Sequence, residues 1–139
     1  MFTKILVAND GSFGGLKALS TAIQLAKRIS AGLHMVIVEE LPRFPASIDE
    51  IEEEKDEANH RFAPVIATAQ AQAKAAGVTM EIHLVPGHVV EATVGLINQV
   101  NADLLVVGFM GHSQLYERII GGTTDRLVRL ASCTVLVVK

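Results

Sequence analysis

Residues 106–139 read VVGFMGHSQLYERIIGGTTDRLVRLASCTVLVVK, and this stretch decides the fold. Its pattern predicts a buried strand, a loop with glycines at positions 108, 111, 121 and 122, a short helix and a final apolar strand. Glycines between the end of a strand and the start of a helix suit the close approach of an anion, because they remove side chains and leave backbone N–H groups pointing at the ligand. The first hypothesis is therefore a nucleotide-phosphate site.

The rest of the chain alternates apolar strands with amphipathic helices. Strands are predicted at residues 5–8, 33–38, 79–85, 104–107 and 135–138. Helices are predicted from residue 16 to near Gly32, and at 49–76, 90–100 and 123–131. Because the strands are almost continuously apolar, this order predicts a single α/β domain over residues 1–139, with an open parallel five-stranded sheet and helices on both faces.

In an open parallel sheet, ligands bind beyond the carboxyl ends of the strands, at the point where the strand order reverses. The two most glycine-rich strand exits are Asp10-Gly11-Ser12 after the first strand and the segment from Gly108 to Gly122 after the fourth. We therefore predict that the order reverses between the first and fourth strands.

Composition narrows the class of protein. The chain has 139 residues, a net charge of −3 and 50% hydrophobic residues, which gives no electrostatic case for binding nucleic acid. No apolar run approaches the roughly 20 residues of a membrane span, so membrane insertion is not expected. A single cysteine, Cys133, excludes an internal disulfide, and the opening MFTKILVAND lacks a signal-peptide pattern. The expected location is the cytoplasm.

The glycine spacing in the loop is Gly-x2-Gly-x9-Gly, which fits neither a phosphate-binding Walker A loop nor the dinucleotide fingerprint. Followed by a helix and a terminal VLVV strand, this spacing resembles that of the nucleotide-binding universal stress proteins. The opening KILVANDGS, the segment ADLLVVG and the ending DRLVRLASCTVLVV carry the same resemblance. It implies a Rossmann-like fold of the adenine nucleotide alpha hydrolase type.

The resemblance also implies the ligand and its contacts. The ligand would be ATP, or ADP or AMP, with Mg²⁺ or Mn²⁺. The loop would wrap the ribose and phosphates through Gly108, Gly111, Gly121 and Gly122. Asn9 and Asp10 would lie near the nucleotide, with Asp10 next to the metal ion, and Val38 would offer backbone contacts to adenine.

The loop departs from the family pattern at one position. Nucleotide-binding members usually have Ser or Thr directly after the third glycine, whereas this chain has Gly122, followed by Thr123 and Thr124. Unless Thr123 substitutes, one charge-assisted hydrogen bond worth roughly 1.5–3 kcal/mol is lost, which weakens ATP binding about 10- to 100-fold. His112 and Arg118 also lie inside the loop, where Arg118 could pair with phosphate.

Simpler explanations stay open for some of these residues. The glycines could merely turn the chain, and Asp10 could be a turn or helix-capping residue. His34, His60 and His83 are scattered along the chain and lack the spacing of metal ligands, so no metal site is expected from them.

The function favoured by the sequence is a stress-response module that holds ATP and changes its partner protein or oligomeric state with occupancy. The apolar strand Val135–Val138 is expected at a sheet edge, and both this edge and the resemblance imply a homodimer built through it. No nucleophile or acid–base set accompanies the loop, so fast catalysis is not indicated, although slow ATP hydrolysis fits Asp10 with a metal ion.

Three alternatives belong to other classes of protein. The first is an interaction protein with a degenerate nucleotide pocket. This alternative stays open because Gly122 departs from the family pattern. A phosphoacceptor receiver domain would need an acidic residue after the third strand, where the sequence is Leu84-Val85-Pro86-Gly87, and is rejected. An adenylylating enzyme would need a phosphate loop after the first strand, which residues 9–13 resemble only loosely.

Overall fold

The computed structural model describes residues 1–40, 47–109 and 121–139. Within these ranges the strands are β1 (Lys4–Ala8), β2 (Gly32–Glu40), β3 (Met80–Gly87), β4 (Leu104–Gly108) and β5 (Thr134–Val138). The helices are α1 (Phe13–Ile29), α2 (Ile48–Ala75), α3 (Val89–Val100) and α4 (Gly122–Leu130). Strands and helices therefore alternate as the sequence predicts.

The five strands form one parallel sheet in the order β3-β2-β1-β4-β5. The chain moves outward from β1 to β3 and then crosses back, so that β4 pairs with the other side of β1. This confirms the predicted reversal between the first and fourth strands. It also places β5 at an edge of the sheet, as expected.

Helices cover both faces of the sheet, because successive side chains of a strand point to opposite faces. Ile5 and Val7 of β1 pack with α1 and α2 in one buried cluster. Leu6 of the same strand packs with α3 and α4 in the second cluster. The two-faced α/β architecture is thus confirmed, and within the described residues no helix combines the length and apolarity needed to cross a bilayer.

Two of the element ends that differ from the sequence prediction have a clear structural reason. Helix α1 ends at Ile29 rather than near Gly32, because Ser30 takes the left-handed conformation, with φ 55°, and its N–H donates to Ala26. Strand β3 continues through Pro86 and Gly87, which pair with the end of β2. Proline is tolerated there because an edge strand has a neighbour on one side only.

Candidate functional site

A cavity of about 470 Å³ lies at the carboxyl ends of the strands, beside the point where the strand order reverses. This volume falls in the usual range for small-molecule sites. The ends of β1, β2 and β4 and the first turns of α1, α3 and α4 supply its walls. The lining residues are Ala8, Asn9, Asp10, Ser12, Gly15, Val36, Val38, Glu40, Val89, Thr93, Val107, Gly108, Gly121, Gly122, Thr123, Thr124 and Leu127.

The turn after β1 is fixed by its own side chains. The backbone N–H of Asn9 donates to the carbonyl of Val36 at 3.1 Å, and its buried side-chain oxygen accepts the N–H of Gly11 at 3.0 Å. Asp10 Oδ1 accepts both the N–H of Ser12, at 2.9 Å, and the Ser12 hydroxyl. Asp10 is therefore a turn residue, as the simpler explanation held, and it also lines the cavity.

Two of the lining glycines are required by close packing. A Cβ atom at Gly15 would lie 2.6 Å from Asn9 Oδ1, so only glycine lets α1 start against the turn. A Cβ atom at Gly108 would lie 2.6 Å from the carbonyl oxygen of Gly14, so β4 ends in direct contact with the backbone of α1. Gly108 lines the cavity, but it also has this packing role, which the glycine spacing alone did not indicate.

The start of α4 is held against the end of β4 by two hydrogen bonds. Gly121, the N-cap residue, is buried, and its N–H donates to the carbonyl of Phe109 at 3.1 Å. The hydroxyl of Thr124, also buried, donates to the carbonyl of Gly108 at 2.7 Å. These bonds fix the first turn of the helix at the wall of the cavity.

The first turn of α4 offers donors to an anion. Helical N–H groups at Gly122, Thr123 and Thr124 have no partner within the helix, and no side chain among the described residues caps them. The helix dipole adds about half a positive charge at this end. Gly122 is exposed, and a Cβ atom built on it meets nothing within 4 Å. This wall of the cavity can therefore receive a phosphate.

The backbone of Val38 points into the crevice beside β1. The carbonyl of Val36 faces β1, because it accepts the N–H of Asn9. In a strand, the N–H and C=O groups of residues two apart point to the same side. The N–H and C=O groups of Val38 therefore point toward the same side as those of Val36. They lie beyond the last residue pair that joins β1 to β2, which is Ala8 with Val36. This position suits backbone recognition of a planar base.

Thr93 on α3 is a lining residue that the sequence reasoning missed. It is fully buried, and its hydroxyl oxygen has no hydrogen-bond partner among the described residues. A buried hydroxyl without a partner costs free energy, but this oxygen is closed off from the cavity, so it gives no indication of a ligand. The available signal was the threonine between Val90 and Ile97 on the buried stripe of the helix.

The charge of the described lining is negative. Two carboxylates, Asp10 and Glu40, line the cavity, and the lining set within the described ranges includes neither lysine nor arginine. Phosphate groups would therefore rely on the start of α4, on a divalent cation, or on basic residues of the segment between Phe109 and Gly121.

The structure brings together most of the residues predicted for the site. The predicted residues that line the cavity are Asn9, Asp10, Val38, Gly108, Gly121, Gly122, Thr123 and Thr124. Gly111, His112 and Arg118 lie outside the described residues. The two glycine-rich strand exits thus meet at one cavity.

Comparison with known proteins gives consistent matches over the whole chain. The sequence model of the universal stress protein family matches residues 1–139. Universal stress protein YxiE of Bacillus subtilis is 30% identical, with all of both chains covered. A crystal structure of a universal stress protein in complex with cAMP is 30% identical, with a TM-score of 0.78 and coverage of 99% of this chain and 97% of the other. Universal stress protein UspA from Lactobacillus plantarum is 25% identical, with a TM-score of 0.85 and coverage of 99% and 97%.

Proposed function

The chain belongs to the universal stress protein family, and from this premise we propose that it binds ATP in the cavity between β1 and β4. The observation that carries the proposal is the uncapped first turn of α4, which lines a cavity at the reversal point of the sheet. A related universal stress protein of 30% identity was solved with cAMP, which contains the same base.

The lining suggests how the nucleotide lies. The adenine ring packs near Val36 and Val38, where apolar side chains and the backbone groups of Val38 recognise it. The phosphates lie at the first turn of α4, next to Gly121 and Gly122. The loop residues Gly111, His112 and Arg118 are proposed as further contacts on the family resemblance, with Arg118 paired to phosphate. ADP and AMP fit the same arrangement with fewer phosphate contacts.

A divalent cation, Mg²⁺ or Mn²⁺, completes the proposed site. Mg²⁺ is usually held by one or two carboxylates together with substrate phosphates and waters. The donor set fits this pattern, because the exposed carboxylate of Asp10 lines the cavity on the side of β1. The cation would neutralise the repulsion between the phosphates and the acidic lining.

We further propose that the protein is a cytoplasmic homodimer joined through β5, acting as a regulatory module rather than a fast enzyme. The sheet has two edges, and β3 protects its own edge with the charged Glu81 and with Pro86. The other edge is β5, Thr134–Val138, whose sequence TVLVV carries neither a charge nor a proline. An apolar edge of this kind is suited to pairing with a second copy.

The test of nucleotide binding compares two identical substitutions at different glycines. Gly121→Val should abolish binding of ATP with Mg²⁺, measured by isothermal titration calorimetry, because a β-branched side chain fills the phosphate end of the cavity. The backbone at Gly121, with φ −59° and ψ 149°, is accessible to valine, so the substitution adds no backbone strain. Gly95→Val on the exposed face of α3, where a Cβ meets nothing within 4 Å, is the control and should bind normally.

Equal ATP affinity in the Gly121→Val variant and in the wild type would refute the assigned cavity. Repeating the titration with EDTA measures the contribution of the cation to binding. Repeating it with ADP, AMP and cAMP separates the contribution of the base from that of the phosphates. An absence of binding heat with every nucleotide would favour the alternative of an interaction protein with a degenerate pocket, since Gly122 offers no hydroxyl at the position directly after the third glycine.

A further inference from the structure

A cluster of three potential metal ligands lies on the sheet, although the spacing of the histidines along the chain indicated none. His34 Nδ1 and His83 Nε2 are 2.9 Å apart, and their rings are stacked at a centroid distance of 5.2 Å. A carboxylate oxygen of Glu81 lies 3.6 Å from His34 Nδ1. The three ligand atoms all fall within 4.8 Å of one another. His34 and His83 are therefore neighbours in space, although they are scattered along the chain.

The register of two strands creates this cluster. His34 of β2 pairs directly with Glu81 of β3, and Val36 pairs with His83. Because side chains alternate between faces, His34, Glu81 and His83 all lie on the face of the sheet that carries α3 and α4. Residues 49 positions apart in sequence thus become diagonal neighbours.

We propose that His34, Glu81 and His83 form a Zn²⁺ site with an open fourth position for water or an exogenous ligand. Two imidazoles and one carboxylate are a common ligand set of zinc, which prefers tetrahedral coordination. Zinc–nitrogen bonds of about 2.0–2.1 Å at the tetrahedral angle put two ligand nitrogens roughly 3.3 Å apart. The observed 2.9 Å separation of His34 Nδ1 and His83 Nε2 therefore has to widen by only about 0.4 Å.

The surroundings of the cluster suit an ion that arrives from solvent. The side chain of His34 is 14% exposed, so it is held in place, whereas that of Glu81 is 68% exposed and can rotate to become the third ligand. Lys4 is a nearby positive charge that opposes the ion, and Glu81 offsets it.

The proposed zinc site is separate from the nucleotide cavity. None of its three residues is among the lining residues of that cavity. Its test therefore gives a result whether or not nucleotide binds. Other imidazoles provide a control, because His60 lies exposed on α2.

The experiment is calorimetric titration of ZnCl₂ into protein that has been treated with EDTA and desalted, without nucleotide. We expect one equivalent to bind, with an affinity that falls at least about tenfold in His83→Gln and in Glu81→Gln, since each loses a ligand. His60→Gln should bind zinc as the wild type does. Co²⁺ used as a spectroscopic probe should give the visible absorption of a four-coordinate site, and this band should vanish in His83→Gln.

Glu81 is exposed, so Glu81→Gln should fold even if a change to a partly buried histidine does not, and circular dichroism checks this. Zinc affinity unchanged in both His83→Gln and Glu81→Gln would overturn the site. A wild-type protein that shows no zinc binding, or a loss of binding in His60→Gln as large as in His83→Gln, would overturn it as well.

Discussion

Gly108 shows how one residue can both line a cavity and permit close packing. The glycine spacing of the loop suggested that it contacts a nucleotide, and it does line the cavity. The backbone of Gly14 in α1 would also lie within 3.0 Å of any Cβ atom at this position. A glycine in a sequence does not reveal which neighbour excludes its side chain, because that neighbour lies 94 residues away (108 − 14) and is brought near by the fold.

Gly122 is the residue at which nucleotide affinity should be improvable. Gly122→Ser adds a hydroxyl at the first turn of α4, and the space around its Cβ is open. One new hydrogen bond to a phosphate should strengthen ATP binding about 10-fold, and up to about 100-fold. Calorimetry with ATP and Mg²⁺ measures the change. Gly122→Ala, which adds the carbon without the hydroxyl, is the matched control and should stay near the wild type; equal gains in both variants would show that the hydroxyl has no role.

Asp103 joins the amino ends of β1 and β4. Its contribution to the stability of the folded state should depend on pH. Its carboxylate accepts the N–H and hydroxyl of Thr3 and the N–H of Lys4, at 2.8, 3.1 and 3.0 Å. These hydrogen bonds, the backbone bond from Thr3 first, lower the pKa of Asp103. Because the pKa is lower in the folded state, the stabilisation is present above the unfolded pKa and is lost as the pH falls through the folded value.

Asp103→Asn should therefore reduce stability at pH 7 and leave it nearly unchanged at the acid end. Asparagine places an NH₂ group where an acceptor is needed, so we expect the melting temperature at pH 7 to fall by roughly 2–5 °C. The difference from the wild type should shrink below about pH 4. Thermal unfolding from pH 7 to pH 3 measures this, with Asp56→Asn on the exposed face of α2 as the control for loss of charge. A difference that stays constant down to pH 3 would contradict the explanation.

The sequence predicts whether a segment is a strand or a helix, because the two differ in the period of their apolar residues. It predicts less well where each element ends. Leu19, Ile23 and Ala26 recur at helical spacing and are buried as the pattern requires. The end of α1 was misplaced because the prediction set it near Gly32, whereas the left-handed residue that ends the helix is Ser30. Serine reaches it at a modest cost that local sequence does not reveal.

At the scale of the whole molecule, the sequence predicts which two strands end at the cavity. It does not predict which side chains are brought together by the register of the strands. Glycine-rich exits marked β1 and β4, and their meeting point followed from a general rule for open sheets. His34 and His83 meet only because β2 and β3 pair in one particular register. The alternating apolar residues fix the face on which each ring lies, but they do not fix which residues of the two strands pair, and that pairing decides whether the rings meet.

The last prediction concerns the edge strand β5 and the assembly of two chains. Leu136 is 37% exposed there, whereas Val137 packs on the core, so Leu136 can be changed with little effect on the fold. In the proposed dimer, Leu136→Lys puts like charges on the two pairing strands and should raise the dimer dissociation constant at least about tenfold. Sedimentation velocity over a range of concentrations measures this against the 14.9 kDa mass of one chain. Ile48→Lys, at an exposed apolar residue of α2, is the control; a dimer weakened equally by both changes, or by neither, would exclude pairing through β5.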